Sequence, residues 1–343
     1  MHTVLVTGAT SFLGYHVVKR LNERGIRPRV LEWPASRTEL LDRLDVERCP
    51  GSLAEASAVG AACAGVDTVL HLAFKVSVAG GAEIRQEMER VNVHGTRQLL
   101  QTAAARGVRR AVVTGSALAV GVSREPRPLD ESASWQRNAF ELPYALNRRQ
   151  AELEALAQAT AGFEVLTVCP SFTFGPDDPV GAPANTLLRR LVAGKLRFTL
   201  PVGFGCLDVR DFAHGMVLAA ERGRSGQRYL LSGENVTTSQ LLERAAAIAG
   251  VRAPRFTPPA LLVHALVGAL GLVYAVRRKP APITRDVLQI LNRFAWYDTS
   301  KAQADLGWRP RPLQQTLDDT IQWIRRSDGP PTEAARGQQA VVP

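Results

Sequence analysis

Cysteine and lysine are both scarce in this 343-residue chain. Its four cysteines, Cys49, Cys63, Cys169 and Cys206, show no paired spacing. That excludes a zinc ribbon and a disulfide framework, and it fits free thiols in a reducing compartment; no metal site is expected. Only five of the 42 basic residues are lysine (19, 75, 195, 279 and 301), so an arginine is the ordinary cation here. Aromatics make up only 6% of the chain, and no basic block is interleaved with them. The formal charge of +10 therefore does not mark a nucleic-acid surface. It favours an anionic ligand such as a dinucleotide, or an anionic membrane surface, through the long-range field. The opening residues, MHTVLVTG, run into a strand pattern with no basic and then apolar leader, from which a cytoplasmic protein is expected.

What is present is a rhythm. Short apolar runs alternate with helical patterns: VLVTG, then Phe12 to Arg24; PRVLE; Leu53 to Cys63; DTVLHLA; Glu83 to Ala105; RRAVVTG; Glu141 to Ala161; FEVLTVCP. Buried, β-branched strands alternating with helices read as a parallel sheet covered on both faces, a Rossmann-like doubly wound α/β fold. After Pro170 the rhythm breaks into Gly- and Pro-rich text, and sheet-like text returns at QRYLLSG. A smaller interleaved C-terminal substrate lobe is expected from residues 170–206 and 236–326, with 1–169 and 207–235 forming the Rossmann domain. The tail 327–343 lacks an apolar face and carries three prolines, so it is expected to be disordered.

VLVTGATSFLG, residues 4–14, places glycines where a strand turns into a helix. There the backbone must pass close to a pyrophosphate and offer its amides at the helix N-terminus. Eighteen residues past Gly14 stands Glu32, placed to accept from the adenosine ribose hydroxyls. A carboxylate there repels a 2'-phosphate, which favours NAD; Arg37 nearby keeps NADP open.

At this point the text resembles the extended short-chain dehydrogenase/reductase family, up to about Trp323. The family's glycine signature is matched at Gly8 and Gly14, with Ser11 at its middle position, where a hydroxyl could reach a phosphate oxygen. HLA (71–73), NVHGTRQLL from Asn92, VTGSALAVG, YALNR and PSFTFGP follow in the family's order. Ser52 departs from the aspartate that relatives usually place against adenine. The resemblance implies cofactor contacts from Gly8, Ser11, Phe12, Leu13, Gly14, Leu53, Leu72, Ala73, Asn92, Tyr144, Arg148 and Pro170. It implies catalytic roles for Ser116, which polarises the substrate oxygen, and for Tyr144, which exchanges a proton with it. Homodimers pairing the helices at 83–105 and 141–161 are also what it implies.

The fourth residue after Tyr144, on the same helix face, is Arg148 where the family usually has lysine. A phenol near pKa 10 is a poor base at neutral pH, and lowering it by about three units takes roughly 4 kcal/mol. One cation at about 4 Å supplies that much at an effective dielectric near 20. Arg148 carries such a charge permanently, although it is longer than lysine and does not yield a proton. A working, slower tyrosine site is expected; a cofactor-binding protein with little chemistry is the alternative.

The segment Ala260 to Val276 is apolar over seventeen residues apart from His264, and Arg277, Arg278 and Lys279 follow it. Three readings are open: a helix roofing an apolar substrate pocket, one dipping into a membrane face, and a true span. DVRDFAHGMVLAAERG and YDTSKAQADLGWRPRPLQQTLDDTIQWI resemble the branch containing 3β-hydroxysteroid dehydrogenases and dihydroflavonol reductases. That implies a hydrophobic ring alcohol or ketone such as a sterol, terpenoid or aromatic secondary metabolite. Nucleotide-sugar epimerases and dehydratases share the fold; Arg189, Arg190, Lys195, Arg197 and Arg210 would have to meet their diphosphate.

Overall fold

The alternating runs become strands and covering helices in the computed structural model, which describes residues 3–33, 36, 38–76, 82–133, 135, 142–276 and 285–327. Arg37, the basic trio 277–279 and tail residues 328–343 lie outside the described residues.

In chain order the first half holds β1 (Val4–Thr7), α1 (Phe12–Glu23), β2 (Arg29–Glu32), β3 (Glu47–Pro50), α2 (Ala56–Cys63), β4 (Thr68–His71), α3 (Ala82–Met88) and α4 (Gly95–Ala105). Next come β5 (Arg110–Thr114), α5 (Pro143–Leu156), β6 (Glu164–Pro170), β7 (Phe172–Phe174) and α6 (Pro183–Val192). They are followed by β8 (Val202–Asp208), α7 (Val209–Arg222), β9 (Arg228–Leu231), β10 (Asn235–Thr237) and α8 (Thr238–Ala249). The last elements are α9 (Ala260–Val276), β11 (Arg293–Ala295), α10 (Ser300–Leu306) and α11 (Leu313–Ser327).

Seven strands form one parallel sheet in the order β3-β2-β1-β4-β5-β6-β9. The order reverses between β1 and β4, and that switch point is where a doubly wound sheet opens a crevice at its carboxyl edge. One face packs Val17, Val18 and Leu21 of α1 with Phe212 and Met216 of α7 and the fully buried Trp308. The other packs Leu5, Val69 and Val113 against Leu99, Leu100 and Ala103 of α4. A second sheet joins β10, β8, β11 and β7, drawing its strands from four separated stretches. It packs against α6, α8 and α11 through Phe174, Leu188, Leu241 and Leu317.

Two departures from the sequence pattern matter for the site. The helical text 83–105 is one rod interrupted by a π-helical turn, Glu89–His94, which carries Asn92. Such turns add a residue and redirect side chains at functional positions. The strand β3 is polar and partly exposed (ERCP), so no alternation announced it.

Candidate active site

The loop from β1 to α1 is held by contacts that only small residues permit. Gly8 has φ +72°, and a Cβ there would stand 2.6 Å from Ala73 N and from Leu72 C and O. A Cβ on Gly14 would stand 2.0 Å from Gly8 O. The loop therefore lies directly on the exit of β4, with its backbone bare, as a pyrophosphate cradle requires. Ser11 is the N-cap of α1: its hydroxyl donates to Gly8 O (2.7 Å) and accepts from Gly14 N (3.0 Å). That hydroxyl is turned inward to fasten the loop, instead of reaching outward for a phosphate as the sequence suggested. Phe12 is buried and Leu13 partly buried in the first turn of α1.

Glu32 ends β2 in a buried position, and Arg48 of the neighbouring strand reaches its Oε1 at 3.3 Å while also engaging Asp42. Sequence reading missed Arg48, because the pairing Val30↔Arg48 exists only once β3 is docked. Leu53 packs over Gly95 at the start of α4. Pro170, at the end of β6, is followed by Ser171, whose buried hydroxyl has no partner among the described residues.

At the centre of the carboxyl edge stands Arg148, only 3% exposed. Its Nη2 donates to Thr114 O and to Gly115 O, the latter at 2.8 Å, so it grips the two residues that precede Ser116. Its guanidinium lies over the Phe74 ring, 3.5 Å from the centroid. His71 packs on the same ring at 4.7 Å. Nε and Nη1 of Arg148 are buried with no partner among the described residues. Orphaned buried donors of this kind cost about 1–3 kcal/mol each, and hydroxyl oxygens of a bound ribose are the chemistry that would satisfy them. Burial lowers the Arg148 pKa from its ordinary value, and the nearby Tyr144 opposes that effect. Tyr144 and Arg148 stand one turn apart on the same face of α5. Tyr144 packs against the buried cluster that holds Ala117, Leu142, Ala145 and Tyr297, and Leu118, Trp135, Phe204 and Ile290 pack on the same cluster. Ser116 is 5% exposed and stands at the N-cap of the short helical turn Ala117–Ala119, where its side chain makes no capping hydrogen bond.

Around this group runs a fixed polar scaffold. Asn92 accepts from Lys75 N (2.8 Å) and donates both to Lys75 O (2.9 Å) and to Asn147 Oδ1 (2.6 Å). The π-turn is thereby tied to the strand exit and to α5, and Asn147 is a buried brace instead of a surface residue. Thr96 donates to Asn92 O (2.6 Å), so it must accept from His71 Nε2 (2.9 Å), leaving Nδ1 to accept from Thr7 (2.7 Å). Burial, helped by Arg148, pushes the His71 pKa down to about 3, so this imidazole is neutral. One helical turn beyond Arg148, buried Glu152 holds Arg228 in a two-pronged pair (2.6 and 2.8 Å) and accepts from Thr167 (2.7 Å). Arg149 points elsewhere, over the Trp135 ring at 5.4 Å.

The structure thus gathers Gly8, Gly14, Leu72, Ala73, Asn92, Ser116, Tyr144 and Arg148 at one edge, with Glu32 at the far end of the same crevice. The cations considered for a diphosphate are not gathered there. Arg210 is held by Asp208 and Asp319. Arg189 lies over Trp323, and Arg190, Lys195 and Arg197 are exposed. Among the described residues no group of acidic, histidine and cysteine side chains could hold a metal ion.

Comparison with known proteins agrees with this geometry. The model of the NAD dependent epimerase/dehydratase family matches residues 4–232. A sterol demethylase protein B from Methylococcus capsulatus is 32% identical over 328 residues, spanning 94% of this chain and 98% of that one. A 3-beta-hydroxysteroid dehydrogenase from Mycolicibacterium neoaurum is 28% identical, spanning 99% and 95%. The crystal structure of gox2253 superposes with a TM-score of 0.83 at 28% identity, over 96% of this chain and 99% of that one.

Proposed function

The chain belongs to the NAD dependent epimerase/dehydratase family and is an NAD-linked enzyme of the extended short-chain dehydrogenase/reductase type, and from that premise we propose that it oxidises or reduces a carbon on a hydrophobic cyclic substrate. The observation that carries the substrate class is apolar continuity. Phe204 and Ile290 pack, as Tyr144 does, on the buried cluster around Ala117, Leu142 and Tyr297, and they also pack on the cluster formed by Val202, Leu288, Leu291 and Val267, which Val263 of α9 joins. A substrate oxygen at Tyr144 would have its carbon skeleton in that surface, where a sterol, terpenoid or aromatic ring system is at home and a sugar diphosphate is not. The names carried by the two relatives support the same class.

In this reading the glycine loop cradles the pyrophosphate, Glu32 meets the adenosine ribose, and the two unpartnered nitrogens of Arg148 meet the nicotinamide ribose. NAD, when bound, supplies or takes the hydride. Ser116 donates to the substrate oxygen, while Tyr144 gives that oxygen a proton in reduction and takes one in oxidation. The fixed charge of Arg148 stabilises the phenolate left behind. Leu118, Phe204 and Ile290 keep water from the reacting carbon. We place the protein in the cytoplasm, and its dimer contact at the outer faces of α4 and α5, where Leu153 is exposed.

The test is turnover by nicotinamide absorbance with a panel of cyclic ketones and alcohols, alongside thermal shift with the same compounds and with uridine diphosphate sugars. Turnover of a ring compound that falls by about a thousandfold in Tyr144→Phe is expected. Turnover unchanged by that substitution would remove the tyrosine mechanism. Stabilisation by sugar nucleotides alone would assign the chain to the epimerase side of its family.

A further inference from the structure

The surface of α9 turned away from the protein has nothing to cover it among the described residues. Val263 and Val267 face inward onto Val202, Leu288 and Leu291. Leu261, Leu266 and Leu272 are 82%, 60% and 69% exposed, and Leu262 and Val273 are exposed beside them. At about 100° per residue these five positions fall within about 140° of one another, so they form one broad face of the helix. Thr199 N donates to Phe256 O (2.9 Å), so the segment of exposed Phe198 runs beside the one that carries exposed Phe256 and leads into α9. Scattered surface leucines are ordinary, but five large apolar side chains on one face of a single helix mark a contact face. At seventeen residues α9 is short of a span, and among the described residues no helix is long and apolar enough to cross a membrane.

The charge of the surrounding sequence selects the partner. From 245 to 285 the chain has six basic residues, Arg252, Arg255, Arg277, Arg278, Lys279 and Arg285, and no aspartate or glutamate. A second copy docked on this face about a two-fold axis would bring two such cationic segments together. An anionic lipid surface neutralises them instead, while its acyl boundary takes up the leucines. We propose that α9 lies in the interface of an anionic bilayer and docks the enzyme there as a peripheral protein. Docking does not depend on the chemistry at Tyr144.

Flotation of the full chain with vesicles of phosphatidylglycerol and phosphatidylcholine tests this, against vesicles of phosphatidylcholine alone. The expected result is co-flotation with the anionic vesicles, reduced by about tenfold or more at high salt or without phosphatidylglycerol. A Leu266→Asn/Leu272→Asn variant should lose about tenfold in partition at an unchanged melting temperature, since both side chains are already in water. Wild-type protein that stays behind with anionic vesicles, equal binding to neutral vesicles, or undiminished flotation of the variant would each overturn the proposal. So would a wild-type dimer in analytical ultracentrifugation that the double substitution splits, because the occupant would then be a second copy.

Discussion

Arg148 touches a backbone carbonyl pair on one edge and an aromatic face on the other, and the face is Phe74, a residue the glycine and tyrosine motifs do not mention. A guanidinium needs such a platform more than an ammonium does, because its plane must be set before its free donors can point at a ligand. A desolvated cation–π contact is worth about 2 kcal/mol. Phe74→Leu is therefore expected to weaken NAD binding by about tenfold or more, measured by titration calorimetry. In an Arg148→Lys background the same change should matter far less. Equal losses in both backgrounds would show that the ring acts on something other than the arginine. Tyr144, Ser116, Gly8 and Gly14 were legible because family motifs pin them at fixed spacing. Phe74, Arg48 and the orientation of Ser11 were not, since each depends on a neighbour brought by another strand or turn.

Among the elements, α5 carries the Tyr144 phenol, the Arg148 guanidinium and, one turn on, the anchor Glu152. That carboxylate is fully buried and its partner Arg228 is 14% exposed, an arrangement in which removing the arginine's partner strands a largely desolvated charge. Glu152→Gln should cost about 3–5 kcal/mol in denaturant unfolding at neutral pH. A loss below about 1 kcal/mol would mean the pair is replaceable by a neutral hydrogen bond. The helices and the long strands of the large sheet were readable from their periodicity. The strands β7, β10 and β11 were not, having three residues each, too few for any alternation to show. The π-turn was hidden inside a helical pattern that was otherwise correct, yet it positions Asn92 against both Lys75 and α5.

For the whole molecule, His71 makes stability depend on pH. The folded protein keeps this imidazole neutral down to about pH 3, whereas an ordinary histidine, as in the unfolded chain, protonates near 6.5. Its contribution is thus complete above pH 6.5 and drains as the pH falls toward 3, by about 1.4 kcal/mol per unit once below 6.5. Between pH 7 and pH 5 a loss of about 2 kcal/mol is expected from this group, read as a shift in the denaturant midpoint. A flat profile over that interval would mean that protonation is accommodated without unfolding.

The interleaving of the two sheets bears on how the protein is made. The central strand of the small sheet, β8, waits for β11 near residue 293, and bridges from Ser123 to Phe294 and from Leu129 to Tyr297 stitch the same late segment back onto the first half. During synthesis, the large sheet can close once β9 leaves the ribosome, while the small sheet lacks β11 until some sixty residues later. A nascent chain halted in that interval would present the strands of the large sheet joined, one face still without Trp308, and a small sheet missing its last strand, and would depend on chaperones until those residues arrived.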